Sequence, residues 1–99
     1  MKNGSELVVL AEEIHESILK KIESNSSLLY MLNSKGFEIC SEIIPEFLEE
    51  FDGVYRISDG INYIHIVLTE VEHIEKEEDI DGAYYELHYN NGDRLSLIM

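Results

Sequence analysis

Residues 28–53 read LLYMLNSKGFEICSEIIPEFLEEFDG, and whether they coil or extend sets the architecture of the whole chain. Residues 28–35 read as a short helix closed by Gly36, the residue that a left-handed C-cap requires. Beyond it, Cys40, Ile43, Ile44, Phe47, Leu48 and Phe51 recur at helical spacing, and Asp52-Gly53 ends the run. Pro45 interrupts it, because proline removes a hydrogen bond and clashes with the preceding turn. A third helix therefore either starts a few residues before Pro45 or kinks there.

Upstream, residues 5–23 carry Leu7, Leu10, Ala11, Ile14, Ile18, Leu19 and Ile22 at three- and four-residue spacing, one apolar stripe of an amphipathic helix. Asn3 with Glu6, or Ser5, supplies its cap. Downstream the period changes to that of strands. Val54–Ser58 and residues 61–71 flank Asp59-Gly60, and residues 83–89 and Arg94–Ile98 flank Asn91-Gly92, both strong hairpin signals. Residues 61–71 are apolar on both faces, which predicts a central strand. The expected fold is α+β: two or three N-terminal helices on a four-stranded antiparallel meander of two hairpins. Residues 1–99 form a single domain, with a helical half at about 5–52 and a sheet half at about 54–99.

The chain has 99 residues, 21 acidic against seven basic, giving a net charge of −14. A magnitude of about 2–8 suffices for the solubility of a small domain. Such a field repels nucleic-acid phosphate and anionic bilayers, so direct binding to either is excluded. The helix–helix–strand order resembles winged-helix DNA readers, but residues 38–52 hold six acids and no Lys or Arg, which sets that class aside. Cys40 is the single cysteine, so an intramolecular disulfide and Cys-rich zinc sites are excluded, and its place on the apolar stripe predicts a buried hydrophobe. With no secretory signal or spanning run evident, a cytoplasmic location is expected, in a bacterial host cell if the gene is a phage's.

The charge concentrates in residues 70–81, where Glu70, Glu72, Glu75, Glu77, Glu78, Asp79 and Asp81 face only Lys76. This stretch is expected to project as a loop between the hairpins, with Tyr84 and Tyr85 beside it as partner-binding anchors. Glu42, Glu46, Glu49, Glu50 and Asp52 form a secondary acidic surface on the helix around Pro45. Adjacent Tyr84 and Tyr85 must point to opposite faces, so one lies outside the core.

Glu77, Asp79, Asp81 and Gly82 match positions 1, 3, 5 and 6 of a calcium loop, but position 12 is His88 and the flanks read as strands. His15, His65, His73 and His88 contain no pair at the i,i+4 spacing of a helical zinc site. Neither a metal site nor a cofactor is expected. With no phosphate loop and no nucleophile elbow, the chain reads as a non-enzyme.

By class, this composition resembles the protein inhibitors that bacteria and their phages make. The resemblance implies a non-catalytic acidic inhibitor seated on the basic surface of a protein that binds or cleaves nucleic acid, of the anti-defence or nucleic-acid-mimic type. An immunity protein against a nuclease toxin and an assembly module whose charge serves solubility are the alternatives.

Overall fold

Lys35 and Gly36 have φ of 50° and 85°. Two successive positive values are what a type I′ hairpin turn needs, not what a single helix cap needs. In the computed structural model, which describes residues 4–80 and 82–99, this turn joins β1 (Leu28–Ser34) to β2 (Phe37–Ile43). The two strands pair antiparallel from Leu28↔Ile43 to Ser34↔Phe37. Asp52 and Gly53, with φ of 49° and 78°, make a second such turn between β3 (Phe47–Phe51) and β4 (Val54–Ser58). Residues 28–52 are therefore three strands, and the expected second and third helices are overturned. The helical spacing from Cys40 to Phe51 misleads because it straddles two strands; Pro45 lies buried in the link between them.

The first helix is present. α1 (Gly4–Ser24) buries Ala11, Ile14 and Ile18 and leaves Leu19 exposed at the margin of the stripe. The proposed cap at Asn3 lies outside the described residues.

Among the described residues there are one α-helix, one 3-10 turn and eight strands in two antiparallel sheets, in place of helices on a four-stranded meander. Both expected hairpins exist, with altered neighbours. β5 (Tyr63–Val67) pairs with β4 but stops at a 3-10 turn, Leu68–Glu70, so residues 61–71 are not one strand, and β5 is an edge rather than a centre. The chain then crosses into the larger sheet as β6 (Val71–Asp79), followed by β7 (Gly82–Tyr89) and β8 (Arg94–Ile98). The β7–β8 connection is Asn90-Asn91-Gly92, closed by Tyr89 N–H to Asp93 O at 2.9 Å. Only Gly92 there has positive φ (95°), so the turn is a three-residue loop rather than type I′.

The sheet orders are β2-β1-β8-β7-β6 and β3-β4-β5. One core joins them: Ile14 and Ile18 of α1 meet Leu28, Ile43, Ile74, Tyr85, Leu87, Leu95 and Leu97 of the large sheet and Tyr55, Ile57 and Ile66 of the small one. Burying each aliphatic side chain contributes roughly 1.5–3 kcal/mol. Alternation along the strands leaves one face of each sheet outside this core, and both open faces carry chemistry.

Candidate functional site

The acidic segment is not a loop. Residues 71–79 are the edge strand β6, paired with β7 from Val71↔Tyr89 to Asp79↔Gly82, with a bulge between Val71 and His73. Strand alternation divides its carboxylates between opposite faces. Glu75 and Glu77 point to the open face with Tyr84, whereas Glu78 sits on the helix side, 3.3 Å from Lys76. Glu72 is exposed at the bulge, and Glu70 ends the 3-10 turn, its carbonyl accepting Asn90 N–H at 2.9 Å. Asp79 accepts Gly82 N–H at 3.1 Å, and Asp81 lies outside the described residues. Tyr85 is 2% exposed in the core while Tyr84 stands on the open face, the opposed arrangement expected of neighbours in a strand. Among the described residues, this group is divided between the two faces of the sheet and the ends of β6.

The secondary acidic group is likewise dispersed. Glu42 is on β2, Glu46 in the Pro45 link, Glu49 and Glu50 on opposite faces of β3, and Asp52 in a turn. Cys40 is exposed on β2 instead of buried, because a strand and not a helix carries it.

Beside α1 runs an open groove of about 880 Å³ whose lining includes His15, Lys20, Tyr55, Lys76 and Tyr85. The Lys76 ammonium donates to Glu13 Oε1, and the Tyr85 hydroxyl donates to the same oxygen at 3.2 Å. The hydrogen bond from Lys76 holds the Glu13 carboxyl below the usual carboxylate range, and burial pushes the Tyr55 and Tyr85 phenols up. His15 meets Tyr55 edge to face at 5.3 Å. Five carboxylates line this groove (Glu12, Glu13, Glu16, Glu50 and Glu78), so it disfavours anionic ligands.

A different constellation occupies the open face of the small sheet. Register places Glu49, Arg56 and His65 in one cross-strand row, with Phe47 and Tyr63 in the row on one side and Phe51 on the other. Phe47, Phe51 and Tyr63 are 55%, 43% and 60% exposed, a concentration of bare rings unusual on so charged a chain. The Arg56 guanidinium lies 5.4 Å from the Phe51 ring and 5.3 Å from the Tyr63 ring. Its Nε donates to His65 Nε2 at 2.9 Å, and Glu49 is 3.9 Å from Nη1. Arg cannot accept a hydrogen bond, so His65 Nε2 is the acceptor in this contact.

His65 also borders the seam between the sheets. A cavity of about 270 Å³ there is lined by Tyr30, Leu32, Ile64, Val67, Tyr89 and Leu95 among others. Burial pushes the Tyr89 phenol up. The site is not legible in the sequence because Arg56, His65 and Phe51 belong to three strands, one of which has helical spacing. The visible signal was the run of outward aromatics at Phe47, Phe51 and Tyr63.

No family model matches the chain, and no curated protein matches it by sequence. Solved structures do share its fold. The heme-binding protein PhuS of Pseudomonas aeruginosa, in its apo form, matches with a TM-score of 0.68 and 13% identity, over 88% of this chain and 27% of that one. The heme-degrading enzyme ChuS of Escherichia coli O157:H7 matches with a TM-score of 0.57 and 15% identity, over 83% and 28%. At these identities the likeness is one of fold, and the chain spans little more than a quarter of either protein.

Two solved structures that share this fold are thus a heme binder and a heme-degrading enzyme. Together with the pairing of β6 into the sheet, this overturns the acidic inhibitor, its anti-defence and immunity forms, and the basic nucleic-acid-handling partner. The assembly module falls with them. No helix among the described residues is long and apolar enough to cross a membrane.

Proposed function

We propose that the chain binds a planar tetrapyrrole of the heme class at the corner formed by His65, Arg56, Phe51 and Tyr63. The observation that carries this reading is the 2.9 Å bond from Arg56 Nε to His65 Nε2, which sets a cation beside an imidazole amid exposed rings. The fold likeness to a heme-binding protein and a heme-degrading enzyme supports it.

The residues fit the demands of such a group. A heme needs an apolar or aromatic surface for its macrocycle, an axial donor for its iron and a cation for its carboxylates. Phe51 and Tyr63 offer the surface, and the seam beside His65, mostly apolar but bearing Glu70, Asn91 and Asp93, extends it. His65 offers Nε2 once Arg56 swings toward a carboxylate, and Arg56 then serves as a fork for two oxygens. The α1 groove, although larger, fits less well because of its five carboxylates. In this reading the chain binds the macrocycle without transforming it, so the bound spectrum persists under oxygen and ascorbate. A cytoplasmic setting goes with it, since the lone exposed thiol of Cys40 stays unpaired in a reducing compartment.

The test is a visible-absorption titration of the purified chain with hemin. A Soret shift saturating at one equivalent is expected. His65→Ala should weaken it at least tenfold, while His15→Ala should leave it unchanged. Equal binding by wild type and His65→Ala would remove the site, and no Soret shift at all would remove the function.

A further inference from the structure

We infer that His73, Glu75 and His88 form a binding site for one divalent first-row transition metal on the open face of the large sheet. This inference is independent of the tetrapyrrole reading, since it uses a different sheet and none of the same residues. His73 on β6 is the cross-strand partner of His88 on β7, and Glu75 is the partner of Glu86. The bulge between Val71 and His73 leaves Val71 in the core and His73 on the open face, and ordinary alternation then puts Glu75 on the same face as His73.

Each of the three residues offers a ligand atom, and these atoms all lie within 4.8 Å of one another. Glu75 bridges the two rings: Oε1 is 3.8 Å from His73 Nε2, and Oε2 is 3.3 Å from His88 Nε2. Metal–nitrogen and metal–oxygen bonds of about 2.0–2.2 Å in a tetrahedron put ligands about 3.3–3.5 Å apart. Side-chain rotations must close the remaining gap. The imidazoles are stacked, with centroids 4.2 Å apart and planes 9° apart, so their in-plane lone pairs run nearly parallel and the two rings splay to take one ion between them. Glu86 Oε1 lies 2.7 Å from His88 Nε2 and its Oε2 accepts a hydrogen bond from the Tyr84 hydroxyl at 3.1 Å, so a held carboxylate stands ready as a fourth ligand. Two imidazoles with carboxylate select zinc-like ions over magnesium or calcium, which prefer all-oxygen shells. Sequence spacing hid the site because its histidines meet across a hairpin and not along a helix.

The experiment is calorimetric titration of the heme-free full chain with zinc chloride, in a hundredfold excess of magnesium to occupy ordinary carboxylates. One equivalent of zinc should still bind. His73→Ala and His88→Ala should each weaken binding at least tenfold, and Glu75→Gln roughly tenfold. Zinc binding that magnesium abolishes, or that the histidine variants leave unchanged, overturns the inference. On the unmutated chain, zinc should shift the imidazole proton resonances of His73 and His88 and spare those of His15 and His65. Equal shifts at all four would likewise overturn it.

Discussion

The Lys76 ammonium on β6 donates to the carboxylate of Glu13 on α1, 63 residues away in sequence, and so fastens the edge strand to the helix. Because that hydrogen bond is the main cause holding the Glu13 carboxyl below its ordinary value of 4.5, the link contributes stability above that pH. The contribution is lost as pH falls through the depressed value. Acid also relieves the self-repulsion of a chain at −14, so the raw melting temperature mixes two effects. The difference between wild type and Glu13→Gln isolates one. Wild type should melt higher at pH 7, and the gap should narrow as pH falls below 4.5 through the depressed Glu13 value. A gap that does not change with pH would show that the link acts through packing rather than charge.

Ile18 and Leu19 belong to the same apolar stripe of α1, yet Ile18 is fully buried and Leu19 is 37% exposed. Ile18→Ala should cost about 3 kcal/mol, the transfer energy of the lost groups plus the cavity they leave. Leu19→Ala should cost less than about 1 kcal/mol. Urea denaturation followed by circular dichroism measures both, and similar costs would contradict the placement of α1 against the sheets.

The residues that were legible from sequence are those whose local signal has one physical meaning. The stripe from Leu7 to Ile22 buries as a helix, and a hairpin does form at Asp59-Gly60, although its loop spans residues 59–62 rather than two residues and β5 starts at Tyr63. Lys35-Gly36 has two meanings: a glycine after an apolar run ends a helix or turns a hairpin, and only the strand partner decides. Here Leu28↔Ile43 decides it, a contact fifteen positions apart that local spacing does not encode. The same limit applies to the sites. Arg56 with His65, and His73 with His88, are neighbours through register, and a register cannot be read before its strands are paired.

β6 is an edge of the large sheet, and its exposed Glu72 and Glu77 put charge along backbone groups that could pair with another chain. Replacing both by Gln should promote edge-to-edge association. Sedimentation velocity at increasing concentration checks this, with dimers or larger species expected for the double variant and monomer for wild type. A double variant that stays monomeric at concentrations where wild type does so would mean that the twist and bulge of β6, not its charge, protect the edge.

Tetrapyrrole binding at His65 should respond to salt in an unusual direction. The carboxylates of a heme meet one nearby cation, Arg56, and a chain that carries −14 overall. The screening length is about 10 Å at 0.1 M salt, so salt suppresses the distant repulsion more than a contact pair. Hemin affinity should therefore rise between 20 mM and 200 mM sodium chloride. Arg56→Leu should weaken binding about tenfold, the value of a charge-assisted bond at a half-exposed position. It should also keep the same rise with salt, because the distant field is untouched. Affinity that falls with salt in wild type and becomes flat in Arg56→Leu would mean that the single guanidinium outweighs the rest of the protein's charge. A variant with unchanged affinity at every salt concentration would detach Arg56 from the ligand altogether, leaving its contacts with Phe51, Tyr63 and His65 as sheet packing alone.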